Sequence, residues 1–172
     1  MSGILYVVGT PIGNLSDLSP RAVETLQSCD FIAAEDTRVT RKLLNHFGIS
    51  TPTVSYHEHN SRTAGEKILA RLLAGESCAL VTDAGMPAIS DPGEALVALA
   101  HEHGVRVEAV PGSTAFATAV AVSGLPSGRF TFEGFLSVQK AERCAHLQSL
   151  VSQTRTMVVY EAQHGLAGSV QE

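Results

Sequence analysis

The chain has no tryptophan, only three cysteines, and aromatic residues at just 5% of its 172 positions. The cysteines, Cys29, Cys78 and Cys144, are widely spaced and odd in number. No CxxC pair exists for zinc, and a disulfide framework is not expected. Each reads as a small buried hydrophobe, which fits a reducing, cytoplasmic compartment. No run reaches the ~18 uncharged apolar residues that a membrane helix needs, so no membrane contact is expected. A secretory signal is missing too: Met1 leads into Ile4-Leu5-Tyr6-Val7-Val8 with no basic stretch and no cleavage-type end. Nor is there an excess of positive charge. The net charge of −5 argues against a general polyanion-binding surface. Residues 1–128 carry 8 Lys/Arg against 13 Asp/Glu, and residues 129–172 carry 4 of each. Any nucleic-acid contact must therefore use a small patch. What the chain does have is apolar content, 44%, enough for a sizeable core and too much for a disordered chain. Its length suits one ordinary domain plus part of a second.

Short apolar runs alternate with helical patterns. Strands are expected at 4–8, 31–34, 53–56, 77–82 and 105–110. Helices are expected from Ser19-Pro20, from Thr37 to about Phe47, from about Ser61 to Leu73, up to a stop at Gly104, and over 114–122. Ser19 is an N-cap with Pro20 at the first helical position, and Gly48 is a helix stop. Five strands separated by four helices predict an α/β fold, with a mostly parallel five-stranded sheet and helices on both faces. Residues 1–123 form this domain and 124–128 read as a linker. Residues 129–172 begin a second α/β domain, with strands at 129–135 and 156–160 and a helix around 141–151. Two strands and one full helix are too few to bury a core alone, so this domain reads as truncated.

Ligands of such sheets sit beyond the carboxyl ends of the strands. There the sequence clusters its polar, Gly- and Pro-rich residues. Gly9-Thr10-Pro11-Ile12-Gly13-Asn14 follows the first strand without the lysine of a phosphate-binding loop or the GxGxxG spacing of a dinucleotide fingerprint. The fourth loop, Asp83 to Gly93, is the most informative. Two prolines and two glycines fix an irregular path, small residues leave room beside the backbone, and Asp83 can accept from an amine. Ser90 or Asp91 can cap the next helix, with Pro92 in its first turn.

Gly9–Leu15, Ala34-Glu35-Asp36-Thr37-Arg38, Ser55-Tyr56-His57-Glu58-His59-Asn60, the Asp83–Gly93 loop, Val110–Ala115, Gly128-Arg129-Phe130 and Glu133-Gly134-Phe135-Leu136 occur in this order. Together they resemble the ribosomal RNA small-subunit methyltransferase I family, a branch of the tetrapyrrole-methylase superfamily. The resemblance spans essentially the whole chain. It implies a tetrapyrrole-methylase-like two-domain fold, usually homodimeric, with the cofactor folded between domains. It also implies methylation of a cytidine ribose 2′-hydroxyl in small-subunit (30S) rRNA by S-adenosylmethionine. Carried over by position, Pro11, Ala84, Gly85, Met86, Ile89, Thr114 and Ala115 line the cofactor site. Asp83 joins them on its charge and position. The chain departs from the family pattern at Met86, at Ser113-Thr114, at Ser137-Val138-Gln139 and in Tyr160–Leu166, which loses a proline and an arginine.

A ribose hydroxyl is a poor nucleophile and needs alignment and a base. No metal is needed, because the sulfonium is already a cationic leaving group. Glu35, Asp36, His57 and His59 are candidates, and Asp36 with Arg38 is favoured as the catalytic pair, Arg38 holding an RNA phosphate. Asp36 can instead cap the helix that follows. His57 and His59 share a strand face but lack a third ligand, so they make a poor metal site. Arg38, Arg41 and Lys42 fall on one helix face as a phosphate patch or a solvated surface. Two other readings are a non-catalytic cofactor-binding or dimerisation relic, and a methylase of tetrapyrroles or other small molecules.

Overall fold

The computed structural model describes residues 2–162. Five strands form one sheet: β1 (Ile4–Val8), β2 (Phe31–Ala34), β3 (Thr53–Ser55), β4 (Cys78–Val81) and β5 (Arg106–Val110). Their order is β3-β2-β4-β1-β5, and every pairing is parallel. The connecting helices are α1 (Pro20–Ser28), α2 (Thr37–His46), α3 (Ser61–Leu73) and α4 (Glu94–Glu102). The mostly parallel sheet with helices on both faces is as the sequence predicts.

The period-two geometry of a strand divides its side chains between the two faces. Val8, Ile32, Ala34, Ala79 and Val81 pack with Leu26 of α1 and Leu43 of α2. Leu5, Phe31, Ala33, Cys78 and Leu80 pack with Leu72 of α3 and Leu96 of α4. Strands clothed on both faces have no polar face, which is why the sequences of β2 and β4 are continuously apolar. From β1 the chain steps through β2 to the β3 edge, then turns back to β4 and β5. Right-handed crossovers then put α1 and α2 on one face and α3 and α4 on the other.

Local signals set most boundaries. Ser19 Oγ accepts from Ala22 N at 3.1 Å, with Pro20 beginning α1. Asp36 caps α2 through Arg38 N at 2.8 Å. The start of α4 differs from expectation. Its N-cap is Gly93 at φ +145°, with no capping side chain, rather than Ser90 or Asp91. A Cβ at Gly93 would lie 2.9 Å from Leu80 Cδ2, so the chain enters α4 through a residue that only glycine can supply there. Both sheet edges are short or charged. The three-residue β3 is preceded by Pro52, whose carbonyl accepts from Ile32 N at 2.9 Å. The outer strand β5 carries an ion pair between Arg106 and Glu108.

A second compact unit comprises Ala115–Glu172. It holds α5 (Ala115–Val122), β6 (Phe130–Phe135), α6 (Lys140–Leu150) and β7 (Thr156–Tyr160), with β6 and β7 parallel. The division falls between Thr114 and Ala115, not after residue 123. The reason is packing: Phe116 of α5 stacks on Phe132 of β6 at 4.6 Å, and its backbone N–H donates to the Tyr160 hydroxyl at 3.2 Å. Cys144 is exposed, contrary to the reading of all three cysteines as buried, because α6 has no buried residue. Of the Tyr160–Leu166 segment, residues 163–166 lie outside the described residues. Among the described residues no helix is long and apolar enough to cross a membrane.

Candidate functional site

The carboxyl ends of the five strands share one rim. The chain leaving β4 departs to the α4 face, while the chains leaving its neighbours β1 and β2 depart to the α1 and α2 face. Loops that part in this way open a crevice, the usual ligand position in an open α/β sheet.

The loops after β1, β4 and β5 are locked together by backbone. Thr10 N donates to Gly85 O at 2.9 Å, and Gly85 N donates to Thr10 O at 3.1 Å. The buried Thr10 hydroxyl adds a bond to Thr82 O at 3.1 Å. Gly9 and Gly112 touch so closely that a Cβ on Gly9 would lie 2.7 Å from the Gly112 backbone and 2.7 Å from Met86 Sδ. Gly85 sits at φ +92°. Further along the fourth loop, Ala88 and Ser90 adopt φ +64° and +58°. Left-handed conformations of non-glycine residues cost about 1–3 kcal/mol each and concentrate in ligand-binding loops.

Acidic groups gather where β2 and β4 end. Glu35 Oε2 accepts from the Thr82 hydroxyl at 2.6 Å and from Asp83 N at 3.3 Å. Asp83 Oδ1 accepts from Asp36 N at 3.2 Å. Burial, and then the Glu35 charge, raise the Asp83 carboxyl above its ordinary range. Burial pushes Asp91 up to about 6, helped by the Glu35 and Asp83 carboxylates. Asp36 goes the other way. Arg38 grips it with Nε at 3.0 Å and Nη2 at 2.6 Å. Those bonds, with the Arg38 backbone N–H, hold the Asp36 carboxyl down at about 2.

A pocket of about 220 Å³ opens between α2 and the loops after β1 and β4, with Pro11, Leu15, Val39, Thr40 and Asp83 among its walls. Thr40 is 3% exposed, and its hydroxyl finds no partner. Leaving such a group unsatisfied costs about 1–3 kcal/mol.

The structure thus brings together most of the residues singled out in the sequence. Pro11 is buried next to the Thr10–Gly85 bridge. Ala84 is exposed beside the buried Gly85, Met86 lies over Gly9, and Ile89 is half-buried in the strained stretch. Thr114 stands two residues beyond Gly112, to whose carbonyl its hydroxyl donates at 3.5 Å. Ala115 opens α5 in the second unit. Asp36 and Arg38 join the rim through the Asp36–Asp83 bond. His57 and His59 have ring centroids 5.9 Å apart, and no group of three metal-ligating residues forms among the described residues. Sequence reasoning missed Asp91 as a proton-binding group, having explained it as a cap. It also missed Thr40, whose only signal is a hydroxyl on the face of α2 that buries Leu43 and Leu44.

Residues 4–172 match the family of Tetrapyrrole (Corrin/Porphyrin) Methylases. The chain is 55% identical over 168 residues to the ribosomal RNA small subunit methyltransferase I of Synechocystis sp., covering 98% of this chain and 60% of that protein. Identity to the protein of the same name from Pseudomonas aeruginosa is 50% over 169 residues, covering 98% and 60%. The chain spans about 60% of the length of these curated relatives. Among solved structures, diphthine synthase superposes with a TM-score of 0.68 at 16% identity, covering 95% of this chain and 65% of that one. Uroporphyrin-III-C-methyltransferase from Thermus thermophilus superposes with a TM-score of 0.65 at 18% identity, covering 98% and 73%. At those identities the likeness is one of fold.

Proposed function

The chain belongs to the tetrapyrrole methylase family, and from that premise we propose that it is the S-adenosylmethionine-binding part of an rRNA methyltransferase. The proposed reaction is methylation of the ribose 2′-hydroxyl of a cytidine in small-subunit rRNA. The 30S subunit is the proposed partner, a homodimer the proposed assembly and the cytoplasm the proposed location. The identity to relatives named for rRNA methylation supports the substrate class.

The observation that carries the reading is the locked seam of the β1, β4 and β5 loops, where Gly9 and Gly112 leave backbone where side chains would otherwise stand. That cradle fits a small folded ligand, and the rim carboxylates fit a cationic one rather than a phosphate. Pro11, Ala84, Gly85, Met86, Ile89, Thr114 and Ala115 are the residues proposed to hold it, largely through backbone. S-adenosylmethionine supplies, when bound, an electrophilic methyl group on a cationic sulfur. The chain's own residues align the hydroxyl and take its proton. Asp36, held at about 2, is a poor proton acceptor at neutral pH, so we assign Asp36 to orienting Arg38 towards an RNA phosphate. Asp83, first grouped with the cofactor residues, lines the α2 pocket.

Calorimetric titration of the chain with S-adenosylmethionine should give saturable binding that falls at least tenfold in Gly85→Val, since valine cannot adopt φ +92° without strain. Absence of binding to the folded parent chain would overturn the proposal. Methyl transfer to small ribosomal subunits, read as a ribose-methylated step resistant to alkali, tests the substrate.

A further inference from the structure

Three threonines, Thr10, Thr40 and Thr82, are buried among residues that are otherwise almost all apolar. Two of them meet at the rim. Thr82 is the first residue past β4 and the root of the fourth loop, and it is 3% exposed. Its carbonyl accepts from the Thr10 hydroxyl at 3.1 Å, which ties it to the loop after β1. Its hydroxyl donates to Glu35 Oε2 at 2.6 Å, which ties it to the end of β2. Asp91, near the far end of the fourth loop, is a further side-chain partner of that hydroxyl. One buried residue thus links the carboxyl ends of β2, β4 and β1, three neighbours in the sheet. Packing alone does not call for a hydroxyl there, since the strand it follows is apolar throughout and valine has nearly the shape of threonine. What the bonds add is direction: a satisfied buried network specifies one arrangement where apolar contact permits several. The loop needs such a constraint. Gly85, Ala88 and Ser90 stand at φ +92°, +64° and +58°, and the strained conformations of the last two persist only where the surroundings over-determine them.

We propose that Thr82 is a positioning residue: through its bonds to Glu35 and Thr10 it holds the fourth loop in the one conformation that receives the cofactor. The inference rests on the preceding reading of that loop as part of the S-adenosylmethionine site. Glu35, a candidate base by its sequence context, is the anchor of this arrangement, its Oε2 taken up by the Thr82 hydroxyl and by Asp83 N at 3.3 Å. A loop that is competent only part of the time binds its ligand in proportion to that fraction. Loss of the hydroxyl therefore weakens binding without removing any ligand contact. It costs little stability, because Glu35 is half-buried and can turn its freed oxygen to water.

Hydrogen exchange on the free chain and calorimetry with S-adenosylmethionine test this in Thr82→Val, Thr82→Ser and Glu35→Ala. Thr82→Val should speed exchange across the Asp83–Gly93 loop at least about fivefold and leave β1–β5 as protected as in the parent. It should shift Tm by no more than about 5 °C and lower the affinity for S-adenosylmethionine about tenfold. Thr82→Ser keeps the hydroxyl and should come within about twofold of the parent in both measurements. In a Glu35→Ala background the effect of Thr82→Val should largely vanish, because the bond it removes is already gone. Unchanged loop exchange in Thr82→Val, acceleration spread equally through β1–β5, a faster loop with unchanged affinity, or no recovery in Thr82→Ser overturns the inference. The two readings fail separately. Absence of cofactor binding to the folded parent defeats the methyltransferase reading, and loop exchange in Thr82→Val still decides whether this residue holds the loop.

Discussion

In the first unit β2 and β4 are buried along their whole length, whereas in the second no residue of α6 is buried. The first unit rests on two aliphatic clusters, one on each face of a five-stranded sheet. The second holds four of the chain's six phenylalanines and is joined by ring contacts, Phe116 on Phe132 at 4.6 Å and Phe132 against Tyr160 at 4.9 Å. Large apolar side chains stay exposed there, Val138 at 95% and Val151 at 73%. The contrast explains where the candidate chemistry resides. Strained turns and close glycine contacts need a rigid support, and among the described residues they are carried by the five-stranded sheet of the first unit.

Replacing Phe31 with alanine should produce the largest effect. The ring is fully buried beneath Arg71, whose guanidinium carbon lies 3.4 Å from its centroid. Phe31→Ala should destabilise the first unit by about 3–5 kcal/mol, read by denaturant unfolding. Hydrogen exchange should show faster opening across β1–β5 and unchanged protection in β6 and β7. Equal loss in both units would dissolve the contrast.

A middle-sized effect should come from Asp91. The folded carboxyl keeps its proton up to about 6, whereas an unfolded one releases it near ~3.9. Its contribution is therefore intact at low pH and is lost as pH rises through about 6. Because the group is partly exposed, the cost at neutral pH is screened to about 1 kcal/mol. Asp91→Asn, which cannot ionise, should raise Tm at pH ~7.5 and change it little at pH ~4. The same gain at both pH values would show that the rim carboxylates do not strain the first unit. The smallest effect belongs to the second unit. Val138→Ser should alter stability by no more than about 0.5 kcal/mol, and a larger loss in thermal unfolding would mean that this side chain is covered in solution.

The sheet was legible in the sequence because both faces of its inner strands are covered, so their apolar runs stand out from the flanking helices. Ser19 and Asp36 were legible as caps because a cap acts within three residues. What escaped depends on partners far along the chain. Asp91 gains its proton affinity from burial and from Glu35, brought near by the pairing of β2 with β4. Gly93, not Asp91, caps α4 at φ +145°, and only glycine fits there because a Cβ would lie 2.9 Å from Leu80 Cδ2, a residue of β4. The α5 helix reads as a continuation of the first domain until Phe116 finds Phe132. Local pattern locates the loops of the site, and tertiary contact decides the protonation of their carboxylates.

The margins of the sheet bear on solubility at high concentration. A parallel sheet with open sides offers unpaired backbone to any strand that drifts past, the usual seed of fibrils. Here one side ends in three residues behind a proline that has no N–H to lend, and the other is studded with an arginine–glutamate pair. Neither margin makes a good template for a passing strand, so the hydrophobic strands at the centre can stay uninterrupted without inviting aggregation.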